Sequence, residues 1–187
     1  DNFRFEKKLI RSWNNTIKST AIVVHPKNTL ELRKLIKFLK KNNKKYLIRT
    51  GSCSYDSKSI NPDLETVVIS LKLFNKILNL NHKNRFVEVE AGALISDVIK
   101  KIKKKNVTLF SVPGGEKVSV GGAISANTIG KDSTSKVSSF GDTLISIEAI
   151  STDGKVQIIS NREKLNKFVG AFGMEGIILK AKLKLKK

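Results

Sequence analysis

The sequence is short of the residues that staple or metallate a fold. Among its 187 residues are one cysteine (Cys53), one tryptophan (Trp13), one methionine, two histidines (His25 and His82) and three prolines. A single thiol forms no internal disulfide, and one cysteine with two histidines lacks the ligand set of a structural zinc site. No apolar stretch approaches the ~20 residues needed to cross a bilayer, and the opening DNFRFEKKLI has no apolar run of the signal-peptide kind. These absences predict an intracellular, soluble chain without a bound metal. It starts at Asp1 rather than methionine, as an excised or a processed segment would. Acidic residues are scarce as well, 16 against 36 Lys and Arg, which leaves a formal charge of +20. Apolar residues are not scarce: 40% of the chain, with 12 glycines besides, is close to globular usage and excludes a disordered basic tail. A chain of this length buries about 70% of its extended surface, enough to hold one large or two small domains together without crosslinks.

The positive charge names no partner by itself. Lysines cluster at 40–45, 100–105 and 180–187. Such a field attracts phosphate in any form. The clusters fall on helix ends and on alternate positions of elements whose other face is apolar, and aromatic residues and arginine are nearly missing from them. That is the pattern of a solvated face rather than of a sequence-specific nucleic-acid reader.

Periodicity predicts an α+β protein. AIVVHP (21–26) reads as a strand ended by Pro26, with Asn28 as N-cap of a helix carrying Leu32, Leu35, Ile36 and Leu39. YLIRT (46–50), TVVISL (66–71) and RFVEVEAG (85–92) read as strands, and Leu94 to Ile102 as a helix. TLISIEAIST (143–152) and KVQIIS (155–160) form a predicted hairpin about Asp153-Gly154, Glu163 to Phe172 a helix, and IILKAKLKLKK (177–187) a half-exposed strand. The order predicts two strand-and-helix lobes, about 1–72 and 73–187, of mixed sheets flanked by helices.

Two segments fit neither element type. Arg49-Thr50-Gly51-Ser52-Cys53-Ser54-Tyr55 leaves a strand with the Gly and Ser succession that lets consecutive N–H groups converge on one anion. The stretch 111–142 holds six of the twelve glycines, at 114, 115, 121, 122, 130 and 141. Each glycine costs backbone entropy on ordering, so this concentration suits a main chain that approaches a ligand. Val120-Gly121-Gly122-Ala123-Ile124-Ser125-Ala126-Asn127 predicts a short helix whose free N–H groups point at a diphosphate. Neither segment is a P-loop or a GxGxxG turn.

Together, in this order, RTGSCSY, VVISLKLFNKIL, VEVEAGALISDVI, VPGGEKVSVGGAISANTIGK, SSFGDTLISIEAISTDGKV and FGMEGIILKAKLKLK resemble the FAD-binding (PCMH-type) domain of the vanillyl-alcohol oxidase and UDP-N-acetylmuramate dehydrogenase-like flavoproteins. Ser54-Tyr55, Gly130-Lys131 and Phe140-Gly141 are similar to the branch of decaprenylphosphoryl-ribose oxidase and the sugar-alcohol oxidases. The resemblance implies that Arg49, Thr50, Gly51, Ser52, Cys53, Ser54 and Tyr55 wrap the FAD pyrophosphate. It implies that Pro113, Gly114, Val120, Gly121 and Gly122 line flavin and diphosphate, and that Asn127 and Gly130 pass the isoalloxazine ring. Phe140 and Gly141 would turn beside the cofactor, and Gly176 and Ile177 would touch the adenine side. Lys131 matches a lysine on the substrate side of the flavin and is the one candidate catalytic residue, with a plain surface lysine as its alternative.

Departures from the pattern refine these expectations. Where many relatives link FAD through a histidine the chain has Cys53, and a second family histidine is replaced by Ile129. Non-covalent FAD beside an inert thiol is the expectation, a cysteinyl link the alternative. The substrate domain that follows in the family is not in this sequence, so the implied activity, oxidation of an alcohol group of a sugar, sugar alcohol or hydroxy acid, belongs to a complete protein or to a pair with a separate chain. The alternative of another class is a non-enzymatic anion-binding module for nucleic acid, polyphosphate or an acidic membrane face.

Overall fold

The β-branched run before Pro26 is the inner strand of a hairpin. In the computed structural model, which describes residues 3–55, 60, 65–115, 117–132, 134 and 137–187, β1 (Phe5–Arg11) pairs antiparallel with β2 (Lys18–Val24). β1 is not anticipated from the sequence, because FEKKLIR is an exposed edge strand with little alternation to read. α1 (Thr29–Lys41) starts where Asn28 Oδ1 accepts from Glu31 N at 2.9 Å, and it buries Leu32, Leu35, Ile36 and Leu39. β3 (Tyr46–Arg49) and β4 (Val67–Ser70) complete a mixed sheet in the order β1-β2-β4-β3, with β4 parallel to both neighbours. Val67 and Ile69 face α1 while Val68 packs with Ala21 and Val23 on the other face. That accounts for the uninterrupted apolar run of β4.

A second, antiparallel sheet follows. β5 (Ile77–Asn81) pairs with β6 (Phe86–Glu90), and α2 (Ile95–Lys103), the two-residue β7 (Thr108–Leu109) and α3 (Val120–Ser125) come next. After a single 3-10 turn at Phe140–Thr143, β8 (Leu144–Ser151) and β9 (Val156–Ile159) form the predicted hairpin, with Gly154 at φ +85° in its turn. α4 (Arg162–Phe168) is shorter than its pattern predicts, and β10 (Gly176–Lys186) closes the chain. The sheet order is β5-β6-β10-β8-β9, with β7 on the far end of β10.

β10 joins the two cores. A register shift between Ile178 and Lys180 inserts an extra residue. Ile178, Ala181, Leu183 and Leu185 therefore face the cluster under α2, α3 and α4, whereas Ile177 and Leu179 face α1. α1 thus lies between the sheets. The predicted half-exposed strand is correct beyond the bulge, where lysines alternate with buried residues; before it, residues 176–179 are all buried. The fold is α+β. Among the described residues no helix is long and apolar enough to cross a membrane.

Candidate functional site

The chain leaves β3 through residues 49–55, and the β1–β2 turn anchors that loop. Trp13 N donates to Ser54 O at 2.8 Å. Arg49 Nη2 donates to Arg11 O at 2.7 Å, and Arg49 Nε donates to Ser52 Oγ at 2.9 Å. Ser52 sits at φ +62°. Among the described residues the amides of Ser52, Cys53 and Ser54 donate to no protein acceptor. A left-handed residue within a run of free amides is the geometry of an anion-binding nest.

The second glycine segment lies directly against this loop. Ser119, only 1% exposed, is the junction. Its Oγ accepts from Gly51 N at 3.0 Å and from Gly122 N at 3.3 Å, and donates to Thr50 Oγ1 at 2.6 Å. A Cβ added to Gly51 would stand 2.6 Å from Lys117 O and 2.7 Å from Ser119 N, so the two chains meet main chain to main chain and only glycine fits. Ser119 is not among the residues expected from the sequence. Its signal was there: a serine immediately before a short helix is an N-cap, and it caps α3 by accepting from Gly122 N.

One expectation needs correction. α3 does begin at Val120, but its first amides do not point freely at a ligand. Val120 N donates to Ala93 O at 2.9 Å, Gly121 N to Ala91 O at 2.7 Å, and Gly122 N to Ser119 Oγ. The physical reason is packing. A Cβ on Gly121 would lie 2.9 Å from Ala91 Cβ, so this glycine lets α3 settle on the end of β6. The start of α3 shapes the wall, while the first loop offers amides.

Between them lies a cleft of about 730 Å³, within the range of small-molecule and cofactor sites. Residues 49–55, Pro113, Gly114, Gly121, Gly122, Gly176 and Ile177 line it, with Ser125 and Ala126 of the second segment, as do Trp13, Thr128, Phe172 and Gly173, which were not singled out. Thr128 Oγ1 is buried without a partner. A Cβ on Gly114 would meet nothing within 4 Å, so that wall is open to an occupant. The remaining expected residues lie elsewhere. Val120 and Phe140 are fully buried in the core. Asn127 Oδ1 accepts from Gly141 N at 3.1 Å, and a Cβ on Gly130 would press on Ser111 and Val112. Lys131 is exposed and does not line the cleft. Burial pushes the Cys53 thiol above its ordinary range, against the weaker pull of Lys117 and Arg49. Among the described residues no cluster of three or more His, Cys, Asp and Glu side chains could hold a metal ion.

Free amides, an orphaned hydroxyl and walls without Cβ fit a ligand that is anionic at its centre and polar along its length, as a pyrophosphate-bridged dinucleotide is. Residues 20–160 match the FAD binding domain family. The chain belongs to that family. Over 183 residues it is 25% identical to decaprenylphosphoryl-β-D-ribose oxidase of Mycolicibacterium smegmatis, covering 95% of this chain and 39% of that protein. It is 23% identical to a putative D-arabinono-1,4-lactone oxidase of Neurospora crassa, covering 93% of this chain and 31% of the relative. The chain thus spans well under half the length of these curated relatives. The fold is shared with cholesterol oxidase from Brevibacterium sterolicum, at TM-score 0.87 and 15% identity over 98% of this chain and 38% of that one. It is shared with alkyldihydroxyacetonephosphate synthase, at TM-score 0.77 and 20% identity over 92% of this chain and 34% of that one. In this FAD-binding domain the first loop lines the cleft and the Ser119 junction lies beneath it.

Proposed function

We propose that this chain binds FAD in the cleft between residues 49–55 and 113–122, as the cofactor-holding part of an oxidoreductase acting on an alcohol group of a sugar, sugar alcohol or hydroxy acid. The observation that carries the reading is the run of unpartnered amides at Ser52, Cys53 and Ser54 beside a cleft walled by Gly114 and Gly122. When bound, FAD supplies a two-electron acceptor for a hydride leaving a carbinol carbon.

What the chain itself contributes is binding and exclusion. The first loop holds the diphosphate through main-chain donors, Ser119 keeps that loop in register with α3, and Thr128 offers a buried hydroxyl to a polar ligand atom. Attachment is non-covalent. The thiol at Cys53, pushed up by burial, stays protonated at neutral pH, and the thiolate is the nucleophilic form. The oxidases among the relatives, which by name act on a sugar phosphoryl lipid and an aldonolactone, support a polyol-like substrate. Among the described residues Arg49 is the cation that lines the cleft, and Lys131 stands exposed outside it.

The anion-module alternative has less support. Three of the four lysines of β10 are matched by acids: Lys180 pairs with Glu148 at 2.9 Å, Lys182 with Glu88 at 3.5 Å and Lys186 with Asp132 at 3.8 Å. Calorimetric titration with FAD tests the proposal: saturable one-to-one binding, with all flavin released by acid precipitation, is expected. No heat and no flavin absorption change, together with salt-dependent binding to DNA, would contradict it.

A further inference from the structure

The only tryptophan of the chain is neither in a core nor on an unremarkable surface. Trp13 lies in the β1–β2 turn, 46% exposed, and lines the cleft. The turn holding it is heavily bonded for a surface hairpin. Ser12 N donates to Ile17 O at 2.9 Å, Ile17 N returns to Ser12 Oγ at 3.1 Å, and Ser12 Oγ donates to Asn14 Oδ1 at 2.8 Å. Asn15, at φ +62°, accepts from Arg11 Nη1 at 3.1 Å through its side chain. Trp13 N is bound to Ser54 O, so the ring stands beside the loop with the free amides. Among the described residues the indole makes no ring–ring or cation–ring contact.

A half-exposed indole that is rigidly presented, unstacked and next to a phosphate-type nest has the two properties of a stacking platform. Its flat face is available, and little entropy is lost when a ring settles on it. We propose that Trp13 is a ligand-binding residue that stacks on a planar heteroaromatic ring of the dinucleotide and clamps it against the first loop. The inference rests on the FAD reading and adds the β1–β2 turn to the site. The ring is either isoalloxazine or adenine; the shared chemistry is a flat π-face adjoining the diphosphate.

Calorimetry and visible absorption with FAD, on the wild type, Trp13→Ala and Trp13→Phe, test it. Trp13→Ala should weaken FAD binding about tenfold or more, and Trp13→Phe should recover most of the loss, with unfolding midpoints in the absence of FAD unchanged. Stacking on isoalloxazine adds a long-wavelength charge-transfer shoulder that Trp13→Ala removes. Stacking on adenine leaves the flavin bands alike in all three while the affinity still falls. Wild-type affinity in Trp13→Ala, or equal losses in Trp13→Ala and Trp13→Phe, overturns the inference and leaves the FAD reading standing. A wild type that binds no FAD overturns both.

Discussion

Two glycine-bearing bends meet at one cleft, and they use their main chains in opposite ways. In residues 49–55, Gly51 lets the chain press on Lys117 and Ser119, and the three amides that follow have no acceptor among the described residues. In residues 119–122, the amides of Val120, Gly121 and Gly122 are all bonded inside the protein, and Gly121 is there because Ala91 leaves no room for a side chain. The same residue type thus serves donor availability in one bend and close packing in the other. Glycine content alone does not distinguish these uses; the destination of each N–H does.

Substitutions that separate the two roles break or sharpen this contrast. The largest effect is expected at Gly51. In Gly51→Val the side chain collides with main chain on the facing bend, so stability falls by about 2–3 kcal/mol in thermal unfolding and calorimetry detects no FAD binding. Next comes Ser119→Ala, which strands the amides of Gly51 and Gly122. A loss of about 1–3 kcal/mol is expected, with FAD affinity reduced because the first loop is no longer held in register. Gly114→Val separates ligand from fold: open space surrounds its Cβ, so the unfolding midpoint stays put, within the ~0.5 kcal/mol usual for surface changes, while FAD binding weakens. A stability loss there equal to that of Gly51→Val would erase the contrast.

The smallest effect is read at Cys53. Its thiol is raised by desolvation, so the reactive thiolate develops only as pH climbs beyond the ordinary thiol range. Disulfide-exchange reagents should react slowly at pH 7 and faster with each step above pH 9, and saturating FAD should slow them further. A fast reaction at pH 7 that FAD leaves unchanged would place this loop away from the ligand.

Much of this was legible in residue order. Asn28 before Leu32, Leu35, Ile36 and Leu39 announced α1, and Asp153-Gly154 between two β-branched runs announced the β8–β9 hairpin. The first loop was marked by Gly and Ser in succession after a strand. Contacts between segments distant in sequence were not legible. Ser119 is one serine among many until Gly51, sixty-eight positions earlier, donates to it. Phe140 and Gly141 carry a motif-like look yet serve the core, where Phe140 is fully buried and Gly141 N is capped by Asn127. β1 was hidden because an edge strand tolerates charge on both faces, and with it Trp13 was hidden too. The bulge at Ile178–Lys180 has no composition of its own, yet it lets one strand serve two cores.

A crystal structure with FAD bound tests the central claim most directly. The account predicts diphosphate oxygens within hydrogen-bonding distance of the Ser52, Cys53 and Ser54 amides, with the bonds from Val120, Gly121 and Gly122 to Ala93, Ala91 and Ser119 intact. A diphosphate resting instead on the freed amides of α3, with the 49–55 loop turned away, would contradict it.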